Sequence, residues 1–293
     1  KIAEHFEINH HIESVENFLE SLPAAISCIK LPFWDIHWFY VAKKAQTMSK
    51  YIISGNGGDE LFGGYVFRYS KFLSLVNEKS SPLEKIKAYL ECHNRDFIPE
   101  QIQVFDEKSN FSWDVIYKIF YPYFNNSLPI LNQVLLADYN GKLLHNFTFV
   151  NKKINERFNI REIMPILSPN LISYSSHLDP KYKYDYENNS GKILLRKLAE
   201  KLELNSFVKN EKQGFSMNTI NLWKKHGKNI CSYFLLDSRA ARDGWISYEW
   251  IKKNISRDDI DVRHVNKFFG LLAVEIWYRL FVTNEMSSKE KLE

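Results

Sequence analysis

The feature that most restricts how this chain can fold is a short apolar run followed at once by a glycine-rich, acidic stretch. Tyr51, Ile52 and Ile53 lead directly into Ser-Gly-Asn-Gly-Gly-Asp-Glu at residues 54–60. A β-branched apolar run bounded by glycine is typical of a buried parallel strand. The glycines allow left-handed turns and let a ligand approach the bare backbone. Helix-like segments flank the run, so the order helix, strand, glycine loop, helix predicts an α/β fold with a parallel sheet.

Two helices are predicted before the strand. Residues 14–29 have apolar side chains at helical spacing after a possible Ser14 cap, and Pro23 would interrupt or restart that helix. Residues 35–48 are also helix-like, with Asp35 as a possible cap. The opening residues read as the end of a helix that runs into a strand. Because the first residue is Lys and not Met, we expect the chain to be part of a longer protein.

Helical periodicity dominates after about residue 70, where strand signals almost vanish. The Tyr- and Asn-rich residues 180–191 predict a mobile loop. We therefore predict a partial nucleotide-binding α/β core over residues 1–75 and a mainly α-helical lobe over residues 76–293. Examples of this helical periodicity in the lobe are residues 83–93, 191–202 and 266–282.

Composition narrows the functional classes. Lys and Arg number 39 against 35 Asp and Glu, and their dispersal gives little support for nucleic-acid binding. The three cysteines are far apart and odd in number, which argues against a disulfide framework and favours a reducing, cytoplasmic setting. No apolar run approaches the roughly 18 residues that a membrane helix needs.

The glycine stretch has a direct chemical interpretation. If a helix begins near Asp59, its free N–H groups favour an anion in the preceding loop. The carboxylates of Asp59 and Glu60 would repel a phosphate, so a divalent cation between them is the simplest solution. This predicts a magnesium–phosphate site. The alternative is a glycine turn followed by an acidic helix cap, which the macrodipole stabilises by about 0.3–1 kcal/mol.

Residues 54–65 resemble the S-G-D/E-G-x-D-E-x-F-x-G-Y signature of the glutamine-dependent asparagine synthetase family. Weaker matches follow in the order that this family requires. Pro32 and Asp35 resemble its D-E-P-x-x-D segment, and Lys212 to Phe215 with Trp223 resemble its K-x-G-F…W segment. Arg161 with Pro165 and Leu167 looks like a degraded E-x-R-x-P-F-L-D element.

The resemblance implies an adenine-nucleotide α-hydrolase-like core and an ATP- and magnesium-dependent reaction. In this family a carboxylate such as aspartate attacks the α-phosphate of ATP, and ammonia from an N-terminal glutaminase domain then converts the acyl-adenylate to an amide. A homodimer is also compatible with the resemblance. The implied site residues are Ser54, Gly55, Gly57 and Gly58 for the nucleotide, Asp59 and Glu60 for magnesium, Lys212 and Asn56 for catalysis, and further Asp35 and Arg161.

The chain also departs from the family pattern. Asn56 replaces an expected carboxylate, Lys30 and Leu31 replace an acidic pair, and Asn159 stands where Glu is expected. These losses keep two alternatives open: a related adenylating cyclase or ligase with another acyl substrate, and a non-catalytic truncated homologue. The phosphate-cradling S-G-G-x-D-S loop is not found in residues 1–293. We therefore expect these residues alone to bind ATP weakly and to be inactive.

Overall fold

The computed structural model describes residues 2–208 and 217–293. The chain is largely helical, and the helix predicted near Asp59 is confirmed as a single short turn. The helices in chain order are α1 Ile2–His5, α2 Leu22–Ile29, α3 His37–Ala45, α4 Gly58–Phe62, α5 Val66–Leu75, α6 Pro82–Glu91, α7 Trp113–Phe124, α8 Ile130–Ala137, α9 Phe149–Arg157, α10 Pro169–His177, α11 Ile193–Lys201, α12 Asn205–Val208, α13 Thr219–Leu222, α14 Lys228–Leu235, α15 Arg239–Arg242, α16 Tyr248–Asn254 and α17 Val262–Phe281.

A small parallel sheet lies at the centre of the predicted site. Strand β1, Tyr51–Ile53, is confirmed and pairs with β2, Arg161–Ile163, so that Ile52 lies opposite Glu162. The prediction that this strand is buried is wrong, because Tyr51 is 55% and Ile53 74% exposed, and only Ile52 packs against the larger core. Strand β2 was not predicted, because a three-residue strand with two charged side chains has neither the length nor the alternation that identifies a strand. The mixed α/β class is therefore confirmed, whereas the specific α-hydrolase-like architecture stays a prediction.

The segment at residues 180–191 is more ordered in its backbone pairing than a simple loop. It contains a 3-10 turn, Pro180–Tyr182, and an antiparallel pair formed by β3, Tyr184–Asp185, and β4, Ser190–Gly191. The predicted loop therefore contains a short hairpin, and its mobility stays a prediction. The hairpin matters because its second strand leads directly into Lys192, which contacts the glycine-rich segment.

Two apolar cores hold the molecule together. The larger core combines α2 and α3 with α9, α14, α16 and α17, and the buried side chains of Phe268, Phe269 and Leu272 lie within it. The smaller core is formed mainly by α5, α6 and α8. The larger core draws residues from both sides of residue 75, and the division of the chain there stays a prediction.

One long helical run positions two polar side chains. Helix α8 continues through a π-helical stretch, Asp138–Thr148, into α9 without a break. Stretches of π-helix inside α-helices are often found at functional sites. In this run Asp138 lies between the helices of the smaller core, whereas Asn155 lies beside β2.

The N-terminal predictions need correction. Residues 14–21 are not helical, and α2 begins only at Leu22 with Pro23 in its first turn. Proline has no N–H to donate, so it is tolerated at the start of a helix but not inside one. No strand follows α1 in the described residues up to α2. Helix α3 begins at His37 with Ile36 at its cap, because Asp35 instead contacts the ring of His37 at 2.9 Å.

Two general features agree with the composition. The three cysteines are free thiols, and Cys231 is completely buried. Among the helices of residues 2–208 and 217–293, none combines the length and apolar character needed to cross a bilayer.

Candidate functional site

The glycine loop begins where the parallel strands end. The Ser54 N–H donates to the Ile163 carbonyl at 3.0 Å, which extends the pairing of β1 and β2 by one residue. Ligands of open parallel sheets bind outside the carboxyl ends of the strands. Residues 54–58 lie at that edge, and Glu162 of the neighbouring strand lies beside them.

Glu162 is the centre of this arrangement. Its Oε1 accepts hydrogen bonds from Ser54 Oγ at 2.6 Å and from Asn56 Nδ2 at 2.8 Å, and its Oε2 accepts one from Asn155 Nδ2 at 2.9 Å. Its carboxylate therefore joins the glycine loop to β2 and α9. Sequence reasoning missed Glu162 because its relevance depends on the pairing of β2 with β1, more than 100 residues away in sequence.

The two residues that the sequence comparison singled out near β2 lie differently. Asn159 is exposed, with a left-handed backbone (φ 54°), so it forms the turn before the strand. Arg161 is also exposed, and its N–H donates to the Lys50 carbonyl. A carboxylate thus lies beside the loop at Glu162 and not at residue 159, and the role of Arg161 stays a prediction.

Asp59 lies at the other end of the loop, in the first turn of α4. Its Oδ1 is 2.8 Å from Lys192 Nζ, and both side chains are partly exposed. The Lys192 backbone has φ 55°, and its N–H donates to the Phe62 carbonyl at 3.0 Å. This fixes the start of α11 against α4 and places a cation at the acidic end of the loop.

Glu60 lies in the interior and not on the loop surface. It is 3% exposed, and its Oε1 accepts a 2.6 Å hydrogen bond from Tyr65. Burial raises the pKa of the Glu60 carboxyl, and the Tyr65 hydroxyl opposes that rise. The adjacent carboxylates therefore have different surroundings, and Glu60 would have to leave the interior to act as a metal ligand.

Gly57 allows the loop to pack closely. Gly57 has φ 90°, and a β-carbon there would lie 2.9 Å from Leu167 Cγ. Leu167 follows β2, so the weak sequence match at Pro165 and Leu167 lies against the loop. Gly57 and Gly58 are both buried, whereas Gly55 is exposed.

The described residues contain no group of three or more His, Cys, Asp or Glu side chains that could hold a metal ion. Magnesium commonly uses one or two protein carboxylates and takes its other ligands from phosphates and water. The partly exposed Asp59 fits one such position, and the Lys192 ammonium shows that a cation is accommodated beside it. Glu60 does not fit in the conformation seen here.

The remaining predicted residues are not brought into this site by the described structure. Lys212 lies in residues 209–216, outside the described residues. Asp35 contacts His37, and among the described residues it makes no hydrogen bond to the glycine loop. Their roles stay predictions.

A surface cleft of about 700 Å³ is found elsewhere. Acidic and basic side chains line this cleft, among them those of Glu13, Lys44 and His226. None of residues 54–60 lines this cleft. We therefore assign the candidate site from its polar contacts and not from cavity size.

Comparison with known proteins gives consistent matches. A family model described as asparagine synthase matches residues 1–279. Asparagine synthetase (glutamine-hydrolyzing) 1 of Bacillus subtilis is 22% identical over 315 residues, which cover 94% of this chain and 48% of the relative. A putative asparagine synthetase of Mycobacterium tuberculosis is 37% identical over 67 residues, 22% of this chain and 10% of the relative. The chain spans about half the length of the Bacillus relative. No solved structure matches it.

Proposed function

The chain belongs to the asparagine synthase family, whose model matches residues 1–279, and on that premise we propose that it forms the synthetase part of an ATP-dependent, amide-forming ligase. The substrate carboxylate, that of aspartate or an analogue, attacks the α-phosphorus of ATP and displaces pyrophosphate. Ammonia then attacks the acyl carbon and displaces AMP. In this proposal the ammonia comes from glutamine, through a glutaminase domain that lies N-terminal to these residues.

The observation that carries the proposal is the juxtaposition at the carboxyl end of β1. Ser54 and Gly55 begin the loop there, and Asp59 with Lys192 ends it. In this assignment Ser54, Gly55, Gly57 and Gly58 contact the nucleotide. A glycine backbone suits that role at the exposed Gly55, where no β-carbon hinders the approach of a ligand, whereas Gly57 and Gly58 are buried and would have to become accessible.

Asp59 is assigned as the one magnesium ligand from this loop. When bound, the ion would neutralise charge on the phosphates. Lys192 holds the Asp59 carboxylate in place at 2.8 Å and adds positive charge at the same end. We keep Lys212 as the second phosphate-contacting lysine, because an ammonium group in a water-poor site stabilises negative charge on departing pyrophosphate.

The alternatives have less support. A different acyl substrate, or loss of catalysis, was suggested by the missing carboxylates at Asn56 and Asn159. Glu162 places a carboxylate 2.8 Å from the Asn56 amide nitrogen, so negative charge is retained beside the loop. This weakens the sequence argument for a cyclase or a non-catalytic homologue.

The test is pyrophosphate release by the full-length protein with ATP, magnesium, aspartate and glutamine. We expect Asp59→Ala to lower the rate about 100-fold, the size of effect seen when one electrostatic contact to a reacting group is removed. The matched control is Asp114→Ala, which removes an exposed carboxylate from the first turn of α7. Absence of pyrophosphate release by the unaltered protein, or equal rates for the two variants, would refute the proposal.

A further inference from the structure

A chain of hydrogen bonds with a fixed direction runs from α3 to the glycine loop. It begins at Trp38, whose indole Nε1 is 2.9 Å from Asn155 Oδ1. An indole N–H can only donate, so the Asn155 carbonyl must face Trp38 and its amide nitrogen must face away. The orientation of the Asn155 side chain is therefore determined by its partner and is not an arbitrary choice between oxygen and nitrogen.

The orientation of Asn155 determines its hydrogen bond to Glu162. Asn155 Nδ2 donates to Oε2 at 2.9 Å, and Ser54 Oγ and Asn56 Nδ2 both donate to Oε1. An ionised carboxylate only accepts, so all three neighbours can donate at once. A neutral amide at this position would either place its donor opposite the Asn155 amide or reverse the hydrogen bonds to Ser54 and Asn56. Asn155 is 4% exposed, and an unsatisfied donor there would be costly.

This arrangement decides what the loop offers to a ligand. The proton of Ser54 and the amide nitrogen of Asn56 are both engaged by Glu162. The Asn56 carbonyl oxygen lies on the opposite side of its planar amide, and no described residue donates a hydrogen bond to it. The side chains of Ser54 and Asn56 therefore present acceptor oxygens, whereas the far end of the loop presents the Lys192 ammonium beside Asp59.

We propose that Glu162 is a positioning residue that fixes the hydrogen-bond direction of Ser54 and Asn56, so that these two side chains bind an N–H or O–H donor of the ligand and not a phosphate oxygen. The second half of the proposal rests on the proposed function. Two donors are available in its substrates: the ammonium group of an amino acid and the ribose hydroxyls of the nucleotide. Phosphate oxygens would then lie at the Asp59 and Lys192 end.

The network itself provides a rescue experiment. Glu162→Gln keeps the shape of the side chain but makes one end a donor, which either opposes the Asn155 amide or makes Ser54 and Asn56 accept instead of donate. Adding Asn155→Asp allows Trp38, Ser54 and Asn56 to donate their hydrogen bonds as they do in the unaltered chain. The carboxylate that this second change introduces would accept from both Trp38 and the new amide on β2, and the oxygen of that amide could again accept from the loop. The double variant thus keeps the hydrogen-bond direction while it moves the charge from β2 to α9.

The first measurement needs no ligand. Hydrogen exchange of the Asn56 side-chain amide is followed by NMR in residues 1–293, in the unaltered chain and in each variant. We expect exchange about tenfold faster in Glu162→Gln, as for the loss of one hydrogen bond, and a return to within about twofold in the double variant. Equal exchange in the unaltered chain and Glu162→Gln, or no return in the double variant, would overturn the positioning role.

The second measurement uses pairs of probes that differ in one donor group. Aspartate is compared with succinate, and adenosine with 2′,3′-dideoxyadenosine, by NMR titration of the Ser54 and Asn56 signals. We expect the donor-bearing member of at least one pair to bind about tenfold more tightly, and this preference to disappear in Glu162→Gln and return in the double variant. A purely structural role would weaken both members equally.

The two measurements separate the possible failures. If neither pair discriminates in the unaltered chain, donor recognition by the loop is wrong. The amide exchange still decides the positioning role in that case. Pyrophosphate release by the full-length protein tests the proposed function independently of both.

Discussion

At the scale of single residues, the glycine segment depends on the absence of a side chain at defined positions. Gly64 N–H donates to the Asp59 carbonyl at 2.8 Å, so the chain folds back over the first turn of α4. A β-carbon at Gly64 would overlap Asp59 Oδ1 and lie 2.6 Å from Lys192 Cε. The contact between Asp59 and Lys192 therefore occupies the space that a β-carbon at residue 64 would take.

Gly64→Ala should accordingly destabilise the fold and separate Asp59 from Lys192. Overpacking of this kind typically costs about 1–3 kcal/mol in the free energy of unfolding. The measurement is urea denaturation. Gly55→Ala is the matched control, since a β-carbon at Gly55 meets no atom within 4 Å and should change stability little. Similar losses in both variants would contradict the packing explanation.

The candidate site shows how far single residues can be predicted from sequence. Glycine stereochemistry and the adjacent acids were sufficient to predict the loop and the position of Asp59. They were not sufficient to distinguish Asp59 from Glu60, because one faces Lys192 and the other Tyr65 only after the chain has folded. Lys192 was missed for the same reason: one lysine among 39 basic residues has no local mark of function.

At the scale of elements, a buried ion pair joins the helices behind the loop. Arg68 of α5 contacts Asp138, at the end of α8, at 2.6 Å, and Tyr89 of α6 donates to the same carboxylate oxygen at 2.8 Å. Arg68 is 5% exposed and Asp138 is fully buried. Burial raises the pKa of Asp138, and the positive charge of Arg68 opposes that rise. Helices α5, α6 and α8 are thus joined through the Asp138 carboxylate, which contacts both Arg68 and Tyr89.

Asp138→Asn should be strongly destabilising, because it leaves the Arg68 charge buried without its partner. Breaking a buried pair typically costs about 3–5 kcal/mol, to be measured as a shift of the urea midpoint. The matched control is Lys71→Met, which removes the exposed pair with Glu91 between the same helices α5 and α6, and which should cost at most about 1 kcal/mol. Equal effects in the two variants would show that burial of the pair is unimportant.

At the scale of the whole molecule, distant parts of the chain close one core. Helix α17 packs against α2, and the buried Leu292 is fixed by the N-terminal segment. The Leu292 N–H donates to the Glu20 carbonyl at 3.1 Å, and Asn17 Nδ2 donates to the Leu292 carbonyl at 2.7 Å. Folding of the larger core therefore requires residues separated by more than 270 positions.

The stability of the molecule should depend on pH through His93. Burial, reinforced by the charge of Arg68, lowers the pKa of His93 from 6.5 to about 3. Between these values the unfolded chain binds a proton that the folded chain does not, so stability falls as the pH decreases from about 6.5 towards 3. The largest slope for this single group is about 1.4 kcal/mol per pH unit.

The measurement is the free energy of unfolding against pH for His93→Gln and for the control His177→Gln. Both rings contact a carbonyl four residues earlier at 2.8 Å, but only His177 is exposed. We expect His93→Gln to reduce the loss of stability between pH 6.5 and about 3, and His177→Gln to keep it. An unchanged pH dependence in His93→Gln would exclude this explanation.

The sequence by itself determined the features that depend on neighbouring residues. Strand β1, the turn of α4 and the helices α6 and α17 follow from apolar periodicity, glycine and capping groups, all of which act within a few positions. The tertiary structure alone decided that Glu162 meets Ser54 and Asn56, that Lys192 meets Asp59, and that residues 14–21 are not helical. These outcomes depend on contacts between residues far apart in sequence, and no local pattern records which distant partner a side chain will find.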